Sequence, residues 1–332
     1  MVDWNEYFAA KESALVSVVI PCFNRADVIA RAVASVLSQT YHNLEVIVVD
    51  DGSEDILELK ETLDAFGDER ISLIQQPHNQ GGAVARNVGV TRSRGEFIAF
   101  LDSDDEWLPD KLEKQLSMAD ATQDRLIYSA STVITVQGKE ERRSRMPLRG
   151  IEVDERIGDY LFLNRGFLPT PAMLLPRWLA LQVPFNGTLP RHQDYDFLLR
   201  LEQSGCEFVM CPDELVVVHW EDLHQTGRGL NAEGSLDFLA NYKQFLSKRA
   251  HSAFIVQQIV TRLLRSGRRV EGVRVLFGQV NLFHLPLVEL LNLLSLFLFT
   301  DTRIMPFFLG VKKILRVDGN ADSKKGSNGD VD

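Results

Sequence analysis

Cysteine is scarce in this chain of 332 residues, which has only Cys22, Cys206 and Cys211 and no pair at CxxC spacing. An odd number of widely separated cysteines argues against a disulfide framework or a cysteine zinc site. It favours buried thiols in a reducing cytoplasm. The first 14 residues contain neither a basic segment nor an apolar segment, so we expect no secretory signal there.

Two phosphate-binding fingerprints and an excess of positive charge are also missing. The strings GxGxxG and GxxxxGKS/T do not occur, so the usual dinucleotide and P-loop sites are not expected. The net charge is −10, and no stripe of Lys and Arg with interleaved aromatics is present, which argues against a nucleic-acid partner. An apolar content of 45% is nevertheless ample for a full core in one or two domains.

The N-terminal half alternates short apolar runs with helical patterns. Predicted strands cover 15–24, 44–53, 71–76 and 97–102, and predicted helices cover 26–39, 55–66 and 81–93. Because the connections between them are short, this order predicts a doubly wound α/β sheet with helices on both faces. Ligands bind such sheets at the carboxyl ends of the strands.

The second half is less regular. We predict strands at 126–135 and 211–220, a strand leading into a helix at 169–180, and a helix at 191–205. The stretch 139–150 is so charged that we predict a loop. Beyond residue 231 the pattern is helical, and residues 318–332 have the composition of a disordered tail.

Carboxylates recur at the ends of the predicted elements: Asp50 and Asp51, Asp102 with Asp104 and Asp105, and Asp194 with Asp196. Like charges crowded at a strand end raise each other's energy unless something positive lies between them. A hard divalent cation with oxygen ligands, shared with substrate phosphates, meets this need. The apolar strand before Asp102 favours this interpretation over a solvated acidic turn.

Three motifs in this order carry a family resemblance: VSVVIPCFNRADVIARAVASVLSQTYHNLEVIVVDDGSED, NQGGAVARNVGV and GEFIAFLDSDDEWLPDKL. The chain closely resembles the family 2 glycosyltransferases with the GT-A fold over roughly residues 15–226. The resemblance implies a mixed-sheet catalytic domain at 1–230. Its nucleotide-binding half would be 15–112, and its acceptor and base half 113–230.

The resemblance assigns the nucleotide site to the ends of the first two strands. Pro21, Phe23 and Asn24 match a Pro-x-Tyr/Phe-Asn turn whose ring lies on uracil, a contact worth about 1–3 kcal/mol by analogy with other base–aromatic stacking. Asp51 would accept the uracil N3–H, and Asp50 would hold the loop. The alternative for Phe23 is a core side chain.

The same resemblance extends to the next two motifs. Gly81 and Arg86 match positions near the nucleotide, and the alternative for Arg86 is a surface salt bridge. Asp102, Ser103 and Asp104 match the DxD motif, hereafter the DxD segment. Asp104 would bind Mn²⁺ or Mg²⁺ directly, and Asp102 would reach the ribose or a metal-bound water.

The general base is predicted at the start of the helix at 191–205. RHQDYDF resembles the family's Glu/Asp-Asp-x-Asp/Glu segment, with Gln193 in place of the commoner Glu. Asp194 would be the base, and Asp196 is the second candidate. Helix capping by acids is the alternative for both. His219 matches a position where related enzymes sometimes have a third metal ligand, although a simple hydrogen bond is the alternative, and His224 is a weaker candidate.

The C-terminal region has a different charge from the rest. Between residues 241 and 316 there are 12 basic and 3 acidic residues. The run 285–299 has 15 residues, fewer than the roughly 20 that a spanning helix needs. We therefore predict that the helical region 231–317 attaches peripherally or monotopically to the inner face of the cell membrane. Packing on the catalytic domain or dimer formation is the alternative.

Together these features predict an inverting, metal-dependent glycosyltransferase that moves a sugar from a UDP-sugar to a saccharide acceptor on a lipid carrier, in surface-polysaccharide synthesis. The donor sugar stays open among glucose, galactose and N-acetylglucosamine. The string QxxRW of the processive synthases is absent, which favours one sugar per encounter. A polyprenyl-phosphate glycosyltransferase and a non-catalytic nucleotide-sugar-binding subunit are the alternatives.

Overall fold

The computed structural model describes residues 14–137, 140–220 and 232–298. Within these ranges nine strands form one sheet. The strands are β1 (Val16–Cys22), β2 (Leu44–Asp50), β3 (Ile71–Gln75), β4 (Phe97–Phe100), β5 (Glu106–Trp107), β6 (Arg125–Gln137), β7 (Glu140–Met146), β8 (Met173–Pro176) and β9 (Glu207–Trp220).

The helices cover both faces of this sheet and continue beyond it. They are α1 (Ile29–Leu37), α2 (Ile56–Asp64), α3 (Gly82–Arg92), α4 (Lys111–Met118), α5 (Ile157–Phe162), α6 (Arg177–Gln182), α7 (Gln193–Gln203), α8 (Glu233–Tyr242), α9 (Lys248–Phe254), α10 (Thr261–Arg265), α11 (Arg269–Gln279) and α12 (Leu287–Leu298). A π-helical segment, Ile255–Val260, joins α9 to α10, and a 3-10 turn, Thr170–Ala172, precedes β8.

The strand order is β3-β2-β1-β4-β8-β6-β9-β5, with β7 paired to β6 outside this path. Strands β1 to β4 are parallel to one another, while β8 runs antiparallel to both β4 and β6. The sheet is therefore mixed, as the family resemblance implies. All seven residues of β2 are buried, which explains why five of them are apolar.

Neighbouring residues of one strand enter opposite cores, because side chains alternate across a sheet. Val18 packs in the core that also holds residues of α1, α2 and α4. Val19 packs in the core that holds residues of α3, α5 and α7. This confirms the predicted doubly wound arrangement with helices on both faces.

The charged stretch that we predicted as a loop is largely a strand. Strand β7 pairs antiparallel with β6, with Ser131 opposite Met146 at one end of the register. Its residues 140–145 are exposed, and Arg143 donates to the Glu141 carboxylate at 2.7 Å. An exposed edge strand has no buried face, so its sequence lacks the apolar alternation on which strand prediction depends.

The helices after residue 232 share a core with the sheet. Phe238, Phe254 and Leu276 belong to the same buried cluster as Leu198 of α7. Over the described ranges, no helix has both the length and the apolar character needed to cross a membrane. The predicted tail 318–332, and His224, lie outside the described residues.

Candidate active site

The ends of β1 and β2 are joined by hydrogen bonds between the two loops that follow them. The strands are parallel and in register, with Cys22 opposite Asp50. The backbone N–H of Asn24 donates to Ser53 Oγ at 2.9 Å, and the N–H of Glu54 donates to Asn24 Oδ1 at 2.9 Å. Asn24 has a φ of 50°, a conformation that Asn tolerates better than most residues. The predicted nucleotide loops therefore form one unit.

Asp51 is the centre of this unit. It is buried, and its Oδ1 accepts from Gln76 Nε2 and from the backbone N–H of Gln80, both at 2.8 Å. Its Oδ2 accepts from the N–H of Gly81 at 2.7 Å. Because a carboxylate offers about four acceptor sites, three internal donors leave about one for a ligand. Asp50 accepts from the Ser53 N–H at 3.2 Å and so holds the loop, as predicted.

Phe23 is partly exposed and belongs to neither buried cluster. Pro21, on the same turn, is also only partly buried. The alternative interpretation of Phe23 as an ordinary core residue is therefore not supported. A partly exposed ring at the end of a parallel strand is a surface on which a flat ligand can stack.

Arg86 on α3 reaches the DxD segment. Its Nη2 donates to Asp102 Oδ1 at 2.5 Å, and Thr170 Oγ1 lies 3.3 Å from Asp102 Oδ2. The Arg86 side chain is only 12% exposed, which excludes a surface salt bridge. Its Nε is buried without a hydrogen-bond partner among the described residues.

The next residues of the DxD segment lie in a strongly acidic environment. The Asp104 carboxylate is 33% exposed and lies 3.8 Å from Arg25 Nη2, and Ser103 is buried. Burial, the negative charges of Asp102 and Asp104, and a weaker opposing hydrogen bond together raise the pKa of the Asp105 carboxyl to about 8. Excess negative charge at this strand end is what the sequence predicted.

His219 lies beside this segment on β9. Its backbone N–H donates to Asp105 Oδ1 at 2.9 Å, and its Nε2 lies 2.9 Å from Glu106 Oε1. The ring is thus held by a carboxylate next to the DxD segment. No group of three His, Cys, Asp or Glu side chains in the described ranges could hold a metal ion by itself. Metal binding here would need oxygen atoms from a ligand or from water.

Asp194 lies in the first turn of α7 and is partly accessible. Burial is the main cause that raises the pKa of its carboxyl. Hydrogen bonds from backbone N–H groups and the positive charge of Arg86 lower that pKa, while the negative charge of Asp102 raises it further. Arg86 and Asp102 therefore lie close enough to Asp194 to act on it electrostatically. A carboxylate with a raised pKa suits proton transfer.

Asp196 has a different role. It is fully buried, and it forms a two-point ion pair in which Arg200 Nε donates to Oδ1 at 2.9 Å and Arg200 Nη2 donates to Oδ2 at 2.5 Å. The Tyr242 hydroxyl also donates to Oδ1. With both oxygens engaged, Asp196 stabilises the helix and its packing on α8, which leaves Asp194 as the candidate base.

Sequence reasoning missed the residue that sets the start of α7. His192 precedes the helix with a φ of 62°, and its Nε2 lies 2.7 Å from Ser235 Oγ on α8. Burial lowers the pKa of His192 to about 3, so the ring is neutral. It stacks on Tyr195, with ring centroids 5.1 Å apart. A lone His beside two acids carries no sequence signal of a partner 43 positions away.

Thr170 was also missed. It belongs to the 3-10 turn before β8, and its hydroxyl lies near both Asp102 and Arg86. Trp107 Nε1 donates to the Pro171 carbonyl at 2.9 Å and Gln115 Nε2 donates to the Ala172 carbonyl at 2.8 Å. Two buried side chains therefore hold the turn that carries Thr170 against the DxD segment.

The fold and this site define a GT-A glycosyltransferase, and comparison with known sequences agrees. The family model described as "Glycosyl transferase family 2" matches residues 17–181. The chain is 31% identical over 262 residues to the amylovoran biosynthesis glycosyltransferase AmsB of Erwinia amylovora, which covers 77% of this chain and 87% of AmsB. The chain belongs to glycosyl transferase family 2 and is a glycosyltransferase enzyme.

A second relative is similar over a shorter segment. The chain is 45% identical over 104 residues to the UDP-Glc:alpha-D-GlcNAc-diphosphoundecaprenol beta-1,3-glucosyltransferase WfgD of Escherichia coli. That match covers 31% of this chain and 40% of WfgD. The chain thus spans well under half of WfgD.

A solved structure has a similar fold. The S. aureus TarS 1–349 structure in complex with UDP-GlcNAc superimposes with a TM-score of 0.54 at 18% sequence identity. The superposition covers 88% of this chain and 77% of that one. At this identity the likeness concerns the fold.

Proposed function

We propose that this enzyme transfers a sugar, with inversion, from a UDP-sugar to a hydroxyl group of a lipid-linked saccharide during cell-surface polysaccharide synthesis. The observation that carries the proposal is the arrangement of Asp194. It is a partly accessible carboxylate whose pKa is raised by burial and is influenced by Arg86 and Asp102. A base and a diphosphate-binding acidic segment in one site are the two parts that such a transfer needs.

The nucleotide would bind at the joined ends of β1 and β2. Phe23 is accessible for stacking on a uracil ring, beside Pro21 and Asn24. The Asp51 carboxylate, with about one acceptor site left, would take the uracil N3–H. Its three internal hydrogen bonds hold it in place before the nucleotide arrives, which lowers the entropy cost of binding.

The diphosphate would lie between Arg86 and the DxD segment. The Arg86 guanidinium is paired with Asp102 and keeps 12% of its side-chain surface exposed, and guanidinium groups donate well to phosphate oxygens. Gly81 at the start of α3 and Ser103 complete the lining on the nucleotide side. The chain has no P-loop, so Arg86 and a metal would share the task of balancing the phosphate charge.

The donor set of this segment fits Mn²⁺ or Mg²⁺. Asp102 and Asp104 offer the hard oxygen ligands that these cations prefer, and His219 is adjacent but hydrogen-bonded to Glu106. The pKa of Asp105 is raised to about 8 first by burial and then by the negative charges of Asp102 and Asp104, and a bound cation would offset those charges. When bound, the cation would act as a Lewis acid on the departing UDP.

In the transfer step Asp194 accepts the proton of the acceptor hydroxyl while that oxygen attacks the anomeric carbon. The new carbon–oxygen bond forms as the bond to UDP breaks, and UDP leaves with the electron pair. Attack from the face opposite UDP inverts the configuration at the anomeric carbon. The proton ends on Asp194 and passes to solvent, which restores the base.

The acceptor class is suggested by relatives. AmsB is named for amylovoran biosynthesis, and WfgD is named for a diphosphoundecaprenol acceptor. The solved relative TarS has been crystallised with UDP-GlcNAc, which favours a UDP-linked donor. Attachment of the C-terminal helices to the inner face of the membrane would bring the site close to such a lipid-linked acceptor.

Calorimetric titration with UDP, with and without Mn²⁺, tests the donor site. We expect tight UDP binding only with Mn²⁺, and loss of that metal dependence in Asp104→Ala because the principal oxygen ligand is gone. Asp110→Ala is the matched control, since it removes a nearby carboxylate that pairs with Lys114 instead. UDP affinity that is the same with and without Mn²⁺, and the same in Asp104→Ala, would contradict the proposed metal site. The absence of any UDP binding would contradict the assignment of UDP as the nucleotide of the donor.

A further inference from the structure

We propose that the C-terminal helices hold the phosphate headgroup of an anionic phospholipid, in a cationic cavity bordered by exposed apolar side chains. The cavity has a volume of about 310 Å³ and lies among the segment that follows α8, helix α9, and the end of α11 with its link to α12. Its lining includes Lys243, Lys248, His251, Gln279, Asn281 and His284. It is separate from the site around Asp194.

The lining is positively charged and has open donors. No Asp or Glu is among the described residues that line the cavity. In the described part of the chain, neither Lys243 nor Lys248 has an ion-pair partner. The cavity volume is roughly ten times the share of one water molecule in the liquid, so it can take a hydrated phosphate group. Two ammonium groups facing one cavity favour an anion there.

The wall formed by the α11–α12 link is ordered by its own hydrogen bonds. Asn281 Oδ1 accepts from the backbone N–H of Phe283 at 3.1 Å, and Asn281 Nδ2 lies 3.3 Å from His284 Nε2. Arg249 Nε donates to the His284 carbonyl at 3.5 Å. This hydrogen bond connects the link to α9, and Arg249 is a third cation beside the cavity. This wall of the cavity is therefore ordered before a ligand arrives.

Apolar side chains surround the mouth of the cavity. A neighbouring cavity shares Gln279 and Asn281 with the first one and is lined by Phe277 and Phe283. Phe283 is 100% exposed and Phe277 is 71% exposed. Large exposed aromatic side chains next to cations are typical of a surface that enters the headgroup region of a membrane.

Helix α12 continues this apolar surface. Leu287, Leu291 and Leu294 are all exposed and lie at i, i+4 and i+7 on one face, while Leu293 is buried against the rest of the protein. The helix has 12 residues, fewer than the roughly 20 needed to span a membrane, and its exposed apolar face suits a helix that lies parallel to the membrane surface. A phospholipid can interact with both the cationic cavity and the apolar surface. Its phosphate would lie in the lysine-lined cavity and its acyl chains would contact Phe283 and α12.

The inference rests on the attachment of the C-terminal helices to the membrane that the proposed function includes, and it can be tested without donor or acceptor. The full chain is sedimented with vesicles of phosphatidylcholine and phosphatidylglycerol in equal parts, and with vesicles of phosphatidylcholine alone. We expect binding to the anionic vesicles only. Lys243→Gln/Lys248→Gln should weaken that binding roughly thirtyfold, the combined effect expected for two lysines at an anionic surface.

Lys60→Gln/Arg92→Gln is the matched control, because it removes two exposed cations from α2 and α3 and should leave vesicle binding unchanged. Phe283→Ser should weaken binding without loss of stability, since the ring is fully exposed. Unchanged binding of the double lysine variant, or equal binding of the wild type to both kinds of vesicle, would overturn the inference. A concentration-dependent dimer that Phe283→Ser abolishes, without vesicle binding, would assign the surface to a second copy instead.

Titration of the same variants with UDP and Mn²⁺ separates the two proposals. The lysine and Phe283 variants should bind UDP like the wild type, because their substitutions lie outside the nucleotide site. Vesicle binding without any UDP binding would mean that the proposed function fails while the lipid site stands. UDP binding without vesicle binding would mean that the lipid site fails while the proposed function stands.

Discussion

Asp194 and Asp196 lie two positions apart on α7, yet their carboxylates have different surroundings. Asp196 is fully buried and paired with Arg200 and Tyr242. Asp194 is partly accessible, and the balance of burial and neighbouring charges raises the pKa of its carboxyl. Either residue satisfies the sequence motif, because the motif specifies residue type and not environment. At the scale of single residues, environment decides which acid can act as a base.

Asp194→Asn should strongly slow transfer while leaving UDP affinity unchanged, because the amide cannot accept the acceptor proton. We expect turnover to fall by roughly 10²–10⁴-fold, the usual contribution of a general base. Turnover with a lipid-linked acceptor and calorimetry with UDP measure the two quantities. Asp196→Asn is the matched variant, and its main effect should be a lower free energy of unfolding. Unchanged turnover in Asp194→Asn would contradict the assignment.

The pH profile of the wild type is a second readout of this prediction. The raised pKa of Asp194 means that the base is protonated, and inactive, up to a higher pH than an ordinary aspartate with a pKa of 3.8. The rate should therefore fall on acidification through that raised pKa, and recover as the pH rises. A rate that stays constant across the acidic range would be inconsistent with Asp194 as the base.

At the scale of elements, the site depends on loops that are held to each other. The loop after β2 needs Gly52, whose φ is 76°. A Cβ added there would lie 2.6 Å from the backbone of His78. The start of α7 is likewise held by the His192–Ser235 contact with α8. Strand ends and helix starts place the carboxylates, but these contacts between elements set their positions.

Gly52→Ala should destabilise the protein by about 2–4 kcal/mol, since the substitution combines backbone strain with a steric clash. Gly67→Ala is the matched control. It has a φ of 58° and no atom within 4 Å of an added Cβ, so only the strain of about 1–2 kcal/mol applies. Chemical denaturation of both variants measures the difference, and equal losses would show that His78 moves away without cost.

Ser235→Ala should lower turnover more than it lowers UDP affinity, because it frees His192 and loosens the first turn of α7. We expect a fall in turnover of about tenfold and a loss of stability of about 1 kcal/mol, typical for one hydrogen bond. Ser129→Ala is the control, because the Ser129 hydroxyl is buried without a partner among the described residues. Equal turnover in both variants would exclude a positioning role for Ser235.

At the scale of the whole molecule, the helices after residue 232 are part of the enzyme's core. Phe254 contacts Phe162 of α5 and His192 at ring-centroid distances of 5.0 and 5.4 Å. Phe162 in turn contacts Tyr195, with centroids 5.1 Å apart. The region that was predicted as a membrane-associating unit thus also supports the helix that carries Asp194. Its outer surface remains open for the proposed lipid.

Phe254→Ala should destabilise the whole protein by about 3–5 kcal/mol, because it leaves a cavity where the two parts of the chain meet. Phe283→Ala is the matched control, because Phe283 is fully exposed whereas Phe254 is fully buried. It should change the free energy of unfolding by no more than about 0.5 kcal/mol. Thermal or chemical unfolding, monitored by tryptophan fluorescence, tests both. A separate transition confined to the C-terminal helices in Phe254→Ala would mean that they fold independently.

Local pattern alone was enough for the doubly wound sheet and for most of the strand-end carboxylates. Strands β1, β2 and β4 are buried apolar runs, and their carboxyl ends meet at one edge because they are parallel. Asp51, Asp102 and Asp104 could therefore be placed at one edge of the sheet from sequence, while their roles rest on the family resemblance. Strand β7 could not be predicted, because an exposed edge strand has no apolar face to reveal it.

Contacts between distant residues were decided only in the tertiary structure. The Thr170 hydroxyl beside Asp102, the Ser235–His192 contact and the Tyr242–Asp196 hydrogen bond join positions that no periodicity links. Sequence periodicity reports which face of one element is buried, because burial repeats with the helix or strand period. It does not report which element covers that face. The partner, and with it the electrostatic environment of each carboxylate, follows from packing alone.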